Sequence, residues 1–161
     1  MLLVLFEVNR DRYGIEAGEV VEVIPLVQLK EVPRAPNYVA GLFNYRGRIV
    51  PVVDLGALMG HEKSRPLLST RIMVVRDPGS GPDGILGLMA GHLTETIDCR
   101  PDEFKPSGVS IADGRYLGDI LPTAKGMIQR VCVANILNED VRAVLAVQGR
   151  TQTAGMPEEK N

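Results

Sequence analysis

Short runs with strand character follow one another along this chain, each bounded by glycine, proline or a polar turn, and that rhythm limits the fold more than any other feature. They lie at 2–8, 12–16, 20–24, 41–46, 49–53, 71–76, 85–90, 93–98, 116–121 and 127–133. The turn signals include Asn9-Arg10-Asp11, the stretch from Pro33 to Pro36, and the stretch from Asp77 to Gly84. Such spacing argues for an all-β sandwich or small barrels, and about ten strands are too many for one small barrel. Two small barrels are therefore expected. The polar stretch from His61 to Pro66 is the candidate crossing between them. Helical signal is confined to short pieces, the clearest following Asn138. That residue is a good N-cap, Glu139 and Asp140 suit a first turn, and Val141, Val144 and Leu145 share one face. No strict internal repeat is visible.

Composition narrows the function classes. The chain has 161 residues, 45% hydrophobic and 24% charged, the profile of a globule with a real core. A net charge of −2, with four tyrosines, three phenylalanines and no tryptophan, disfavours nucleic-acid binding, which needs a basic face or stacking aromatics. The apolar run Leu2 to Phe6 is too short to span a bilayer and lacks the pattern of a secretory leader. Cys99 and Cys132 show no Cys-x-x-Cys spacing and read as buried thiols in a reducing compartment, with the cytoplasm as the expected location.

Little in the chain resembles an active site. His61 lies in the polar crossing and His92 between two apolar runs, neither with a partner at metal spacing, so both read as solvated or structural. A zinc site of Cys99, Cys132 and His92 would draw on three scattered ligands. Gly79-Ser80-Gly81 lacks the flanks of a nucleophile elbow or a phosphate loop. Asp102-Glu103 and Glu139-Asp140 open helices, where carboxylates complement the dipole. No catalytic residue, cofactor or metal is expected.

The stretch GLFNYRGRIVPVVDL, Gly41 to Leu55, is the most informative. Two apolar runs flank Arg46-Gly47-Arg48, and Gly47 can take a positive φ cheaply, so the segment reads as a hairpin with wet arginines at its tip. Ile49 to Val53 is apolar on both alternating faces, as in a strand with neighbours on each side. Pro51 cannot donate to a ladder, so that strand is expected at an edge or with a bulge. Asp54 reads as the N-cap of a short helix, Leu55 to Gly60.

That hairpin, with Tyr13-Gly14-Ile15 and Val20 to Pro25 before it, resembles the CheW family of bacterial chemotaxis coupling proteins. The shared motif is a glycine, apolar residues, an asparagine, Arg-Gly, and an apolar-proline strand ending in Asp-Leu. The resemblance continues more loosely through Tyr116-Leu117-Gly118 to Ile136-Leu137. It implies two five-stranded SH3-like barrels with a groove between them, in a CheW-like domain over 1–148. The expected division is a first barrel at roughly 13–66, a second at roughly 1–12 and 67–137, and a short helix at 139–147. A disordered tail is expected at 149–161.

The resemblance further implies a non-enzymatic scaffold. It would couple chemoreceptor cytoplasmic tips to the regulatory domain of a CheA-type histidine kinase, in arrays at the membrane but without insertion into it. A non-flagellar pathway stays open. The alternative is a regulatory module holding a small molecule in the inter-barrel groove.

Position by position, Glu22 and Arg46 match a family ion pair, expected partly buried, with Arg46 as a plain solvated turn residue the alternative. Val20, Gly41 and Gly47 match kinase-binding positions, and Ile24 and Leu42 are expected as exposed contact area, though each aliphatic reads equally as core. The receptor-binding segment corresponds to Leu88, Met89, Leu93 and Thr96. Leu93 reads either as a buried strand position or as a receptor contact, and the contact is the expectation. Ala90-Gly91 stand where the family usually has Val-Asp, and Thr96 where an aliphatic is usual, which leaves the receptor undefined.

Overall fold

The computed structural model describes residues 1–64, 67, 69–109 and 114–146. Nine strands carry the fold. They are β1 (Leu2–Val8), β2 (Asp11–Glu16), β3 (Val20–Pro25), β4 (Val39–Tyr45), β5 (Arg48–Asp54), β6 (Thr70–Arg76), β7 (Ile85–Asp98), β8 (Leu117–Thr123) and β9 (Gly126–Val131). One short helix, α1 (Leu55–Leu58), follows β5, and residues 139–146 form a C-terminal helical segment. The expected strands at 85–90 and 93–98 are one continuous strand. Its register against β1 shifts between Leu5 and Glu7, and His92 takes a φ of 54° there, so β7 bends at a bulge instead of ending.

Long β7 therefore serves two halves. Its N-terminal stretch runs antiparallel to β6 and parallel to β5, which also pairs with β4; β6 in turn pairs with β3. Its C-terminal stretch pairs with β1, and the path continues through β2 and β9 to β8. The division expected from sequence placed β2 in the first barrel and residues 71–76 and 85–90 in the second. Strand pairing places them the other way round, because the chain changes halves inside β7 and at the 3-10 turn Ala17–Glu19, not at the polar stretch after α1.

Each half has the same plan. Hairpins β4–β5 and β6–β7 join through the parallel pair β5–β7, and hairpins β8–β9 and β1–β2 join through the parallel pair β9–β2. In the second half the joining hairpin comes from the other end of the sequence. This is a structural repeat, permuted so that no repeated sequence window reveals it.

Each half is SH3-like with an open ladder. An isolated two-way bridge stands at each gap: Lys30 exchanges both backbone hydrogen bonds with Leu42 of β4, at 2.8 Å each, and Lys105 does so with Ile120 of β8, at 2.7 and 2.8 Å. A Cβ on Gly41 would stand 2.6 Å from the Lys30 carbonyl oxygen, so a glycine there permits the first bridge.

Alternation sorts the apolar residues into three clusters. Val50, Val52, Ile72 and Val74 fill the first half, and Leu3, Leu5, Leu121 and Ile128 the second. Phe6, Ile15, Val53, Met73, Val75, Leu86 and Leu88 meet between them. Strands β5 and β6 thus bury both faces. β5 is not an edge: the parallel ladder to β7 begins at Val52, one residue past Pro51, so the missing amide is never needed there. The pairing of β4 with β5 is irregular between Val39 and Gly41. Val141 and Leu145 of the C-terminal segment join the central cluster, while Val144 points outward, unlike the one-faced expectation. Asn138 Oδ1 caps that segment by accepting from Val141 N at 2.8 Å.

Candidate interaction surfaces

The hairpin tip turns through two residues with positive φ, Arg46 at 51° and Gly47 at 88°, the geometry that matches strand twist best. Asn44 Oδ1 accepts from Gly47 N at 2.8 Å, which accounts for the asparagine of the motif. From this turn Arg46 Nη2 reaches Glu22 Oε2 of β3 at 3.0 Å, and the Tyr45 hydroxyl donates to the same oxygen. The Arg46 guanidinium also lies 5.3 Å from the centre of the Tyr45 ring. Accepting that hydrogen bond, the Glu22 carboxylate holds the Tyr45 phenol above its usual pKa. The cluster spans the edges of β3 and β4, which no ladder joins among the described residues. It is wetter than expected, with side chains 73% exposed for Arg46 and 37% for Glu22.

Among the described residues, strand β3 pairs with β6 alone. Its outer face carries the exposed Val21 and Val23, with Val27 exposed just beyond. Val20 and Ile24 are half-buried, and Ile24 packs on the first-half core. Leu42, expected as exposed contact area, is only 4% exposed, because its strand face points into the central core. Gly41 is buried against the Lys30 bridge, and Gly47 is exposed at the turn. Sequence reasoning passed over Val21 and Val23, whose signal was the alternation of β3 itself.

A cleft of about 560 Å³ opens between the halves. Glu7 and Asn9 of the first hairpin form one wall, His61, Glu62 and Ser64 another, and Gly91 and His92 of the β7 bulge a third. Asp54 holds two of its lining residues, Gly56 and Ser64, in place: its carboxylate caps α1 through Gly56 N and Ala57 N, and accepts from Ser64 N and Oγ at 2.7 Å each. Leu88 and Met89, expected at the receptor surface, are core residues at 0% and 7% exposure, since their strand is covered on both edges and both faces. Leu93 is half-buried against the central core, and its neighbour His92 is the cleft residue. Thr96 is exposed on β7, paired with Val4 of β1.

One polar cluster gave no signal in the sequence. Asp77, fully buried, receives Arg142 Nη1, and Ser80 Oγ donates to the same carboxylate oxygen at 2.6 Å. Arg142 also donates to the carbonyls of Ala134 and Leu137, at 3.0 and 3.3 Å. The C-terminal segment is thereby fastened to the loop between β6 and β7. Cys99 and Cys132 are free thiols, each pushed up in pKa by burial. Among the described residues, no three His, Cys, Asp or Glu side chains converge on a metal-sized site, and no helix is long and apolar enough to cross a membrane.

Comparison with known proteins finds consistent relatives. The family model of the CheW-like domain matches residues 2–155. The chain is 30% identical over 112 residues to the chemotaxis protein CheW of Helicobacter pylori, covering 70% of this chain and 66% of that protein. It is 38% identical over 53 residues to the chemotaxis protein CheW of Treponema pallidum, covering 33% and 31%. The matches thus span just under two thirds of the first of these relatives and about a third of the second. Among solved structures it is similar to the scaffolding protein CheW of Thermoanaerobacter tengcongensis, with a TM-score of 0.77 at 25% identity, over 87% of this chain and 89% of that one.

Proposed function

This chain belongs to the CheW-like family, and from that premise we propose that it is a non-enzymatic adaptor coupling chemoreceptor cytoplasmic tips to a CheA-type histidine kinase on the cytoplasmic side of the membrane. The observation that carries the reading is the edge of the first half. There β3, paired with β6 along one edge, exposes Val21 and Val23 beside the Glu22–Tyr45–Arg46 cluster. An exposed edge with apolar side chains is ordinarily an aggregation hazard, and it is retained where a partner covers it. The kinase regulatory domain is that partner, and the ion-paired hairpin sets the orientation in which the valines are presented. The receptor tip takes the cleft between the halves, so the two partners bind different faces and do not compete.

Transient interfaces of this kind sit around micromolar affinity. Titration calorimetry with the cognate kinase domain should therefore give a saturable complex. Val23→Asp should weaken it at least ten-fold without moving the melting temperature, because the side chain it replaces is exposed on the outer face. No complex at about 100 μM kinase domain, well above that affinity range, would overturn the assignment.

A further inference from the structure

Strand β3 presents Val21 and Val23, yet its ladder to β6 does not by itself fix how they are turned. The register shifts between Val20 and Glu22, so Val21 stands opposite no residue of β6. A bulge bends and twists the strand that carries it, and contacts outside the ladder then decide the angle. Glu22 follows the bulge directly. Its carboxylate is tied across to the β4–β5 hairpin twice, by the Tyr45 hydroxyl and by Arg46 Nη2 at 3.0 Å, both on Oε2.

The two donors are unequal. Tyr45 is the last residue of β4, opposite Arg48 in the hairpin ladder, and its ring packs on the first-half core. Phe43 meets that ring edge-on, with centroids 6.1 Å apart and an interplanar angle of 61°. Arg46 lies on the turn itself, with its side chain 73% exposed. An arginine freezes more torsions than a tyrosine to make one hydrogen bond, and water competes for an exposed guanidinium. The bond to Glu22 pushes the Tyr45 phenol above its ordinary pKa, so the hydroxyl keeps its proton at neutral pH. Arg46 in turn lies 5.3 Å from the centre of the tyrosine ring, so the ring that holds Glu22 also seats the arginine.

We propose that Tyr45 is the positioning residue of the kinase-binding edge: its hydroxyl fixes Glu22 behind the bulge, and so sets the angle at which Val21 and Val23 meet the partner. Arg46 completes the cluster and is the lesser anchor. This rests on the reading that the kinase regulatory domain covers that edge.

The test titrates the regulatory domain of the CheA-type kinase into the unmodified protein and into variants of the cluster. Tyr45→Phe keeps the ring and removes only the donor, and should weaken binding about ten-fold, the size of a hydrogen bond to a charged group. Arg46→Ala should weaken it about three-fold or less, as for an exposed pair. Glu22→Gln, whose amide oxygen still accepts from the hydroxyl, should stay within about two-fold of the unmodified protein. In a Glu22→Ala background Tyr45→Phe should cost nothing further, because its acceptor is gone. Methyl NMR shifts of Val21 and Val23 give a readout that needs no partner. They should move in Tyr45→Phe, which retains the aromatic ring, and hold in Arg46→Ala. A tyrosine that only stabilised the fold would lower the melting temperature and leave these shifts alone. An affinity unchanged in Tyr45→Phe, a larger loss in Arg46→Ala, or an undiminished cost of Tyr45→Phe beside Glu22→Ala overturns this inference alone. No complex with the unmodified protein overturns the kinase reading, and unmoved valine methyls would then overturn the positioning role as well.

Discussion

Arg46 and Arg142 each meet one carboxylate, and the two pairs differ in almost everything else. Arg46 stands on a tight turn, with side chains 73% and 37% exposed across its pair with Glu22. Arg142 lies in the C-terminal segment, with side chains 14% and 0% exposed across its pair with Asp77. An exposed pair gains little net energy, because water and salt screen it and two long side chains must be held still. A buried pair gains little by forming, since desolvation offsets attraction, yet it is costly to break. So the pair carried by the recognisable motif positions a surface, and the pair that no motif announces holds the architecture. Asp77 sharpens the contrast, because its second oxygen is buried without a partner among the described residues.

The contrast should be widest on deleting the cations. Arg142→Ala strands a fully buried carboxylate and should lower stability by about 3–5 kcal/mol in urea denaturation. A loss under about 1 kcal/mol, the range of exposed pairs, would mean that the clamp is open in solution. Next comes Gly79→Ala. Its new Cβ would stand 2.4 Å from Arg142 Cζ, so it should cost about 1–3 kcal/mol by overpacking. In an Arg142→Ala background the same change should cost almost nothing, and an undiminished cost there would place the clash elsewhere. Arg46→Ala should lose only about 0.3–1 kcal/mol, and a double-mutant cycle with Glu22→Ala should return a coupling of the same small size. The smallest effect is that of salt: about 1 M sodium chloride should erase the Glu22–Arg46 coupling and leave the Arg142 cost nearly intact.

What was legible in the sequence was local. Strand boundaries fall within a few residues of the turn signals, Asp54 and Asn138 cap where their spacing places them, and the Arg-Gly tip makes the tight turn that its residues favour. Partner choice was not legible. An alternating run such as Ile72 to Val75 announces two buried faces without saying which half each face serves. Leu42, Leu88 and Met89 illustrate the same limit, since an aliphatic in a strand reads alike whether it faces core or partner. The Asp77–Arg142 clamp joins residues 65 positions apart, so no spacing rule finds it. Val21 and Val23 lie within reach of sequence reasoning, because period-two alternation beside an ion-pairing glutamate places them on the outer face of β3.

The permuted repeat has a consequence for the order in which the molecule assembles. All the strands of the first half lie within Val20 to Asp98, so its contacts close over short stretches of chain. The second half must bring the β1–β2 hairpin against β9, pairing Arg12 with Ile128, across most of the polypeptide. Loop closure over longer stretches costs more entropy, and long-range pairing slows folding. On a ribosome the β1–β2 hairpin, made before the other seven strands, is therefore one of the last to find its place. It waits, with Leu3 and Leu5 still uncovered, until β9 has been made. Pulsed hydrogen exchange during refolding should show amides of β5 and β6 protected before those of β1 and β2, and simultaneous protection would show that the halves form together. An early-made, late-docked hairpin with an apolar face is the part of this molecule most in need of a chaperone.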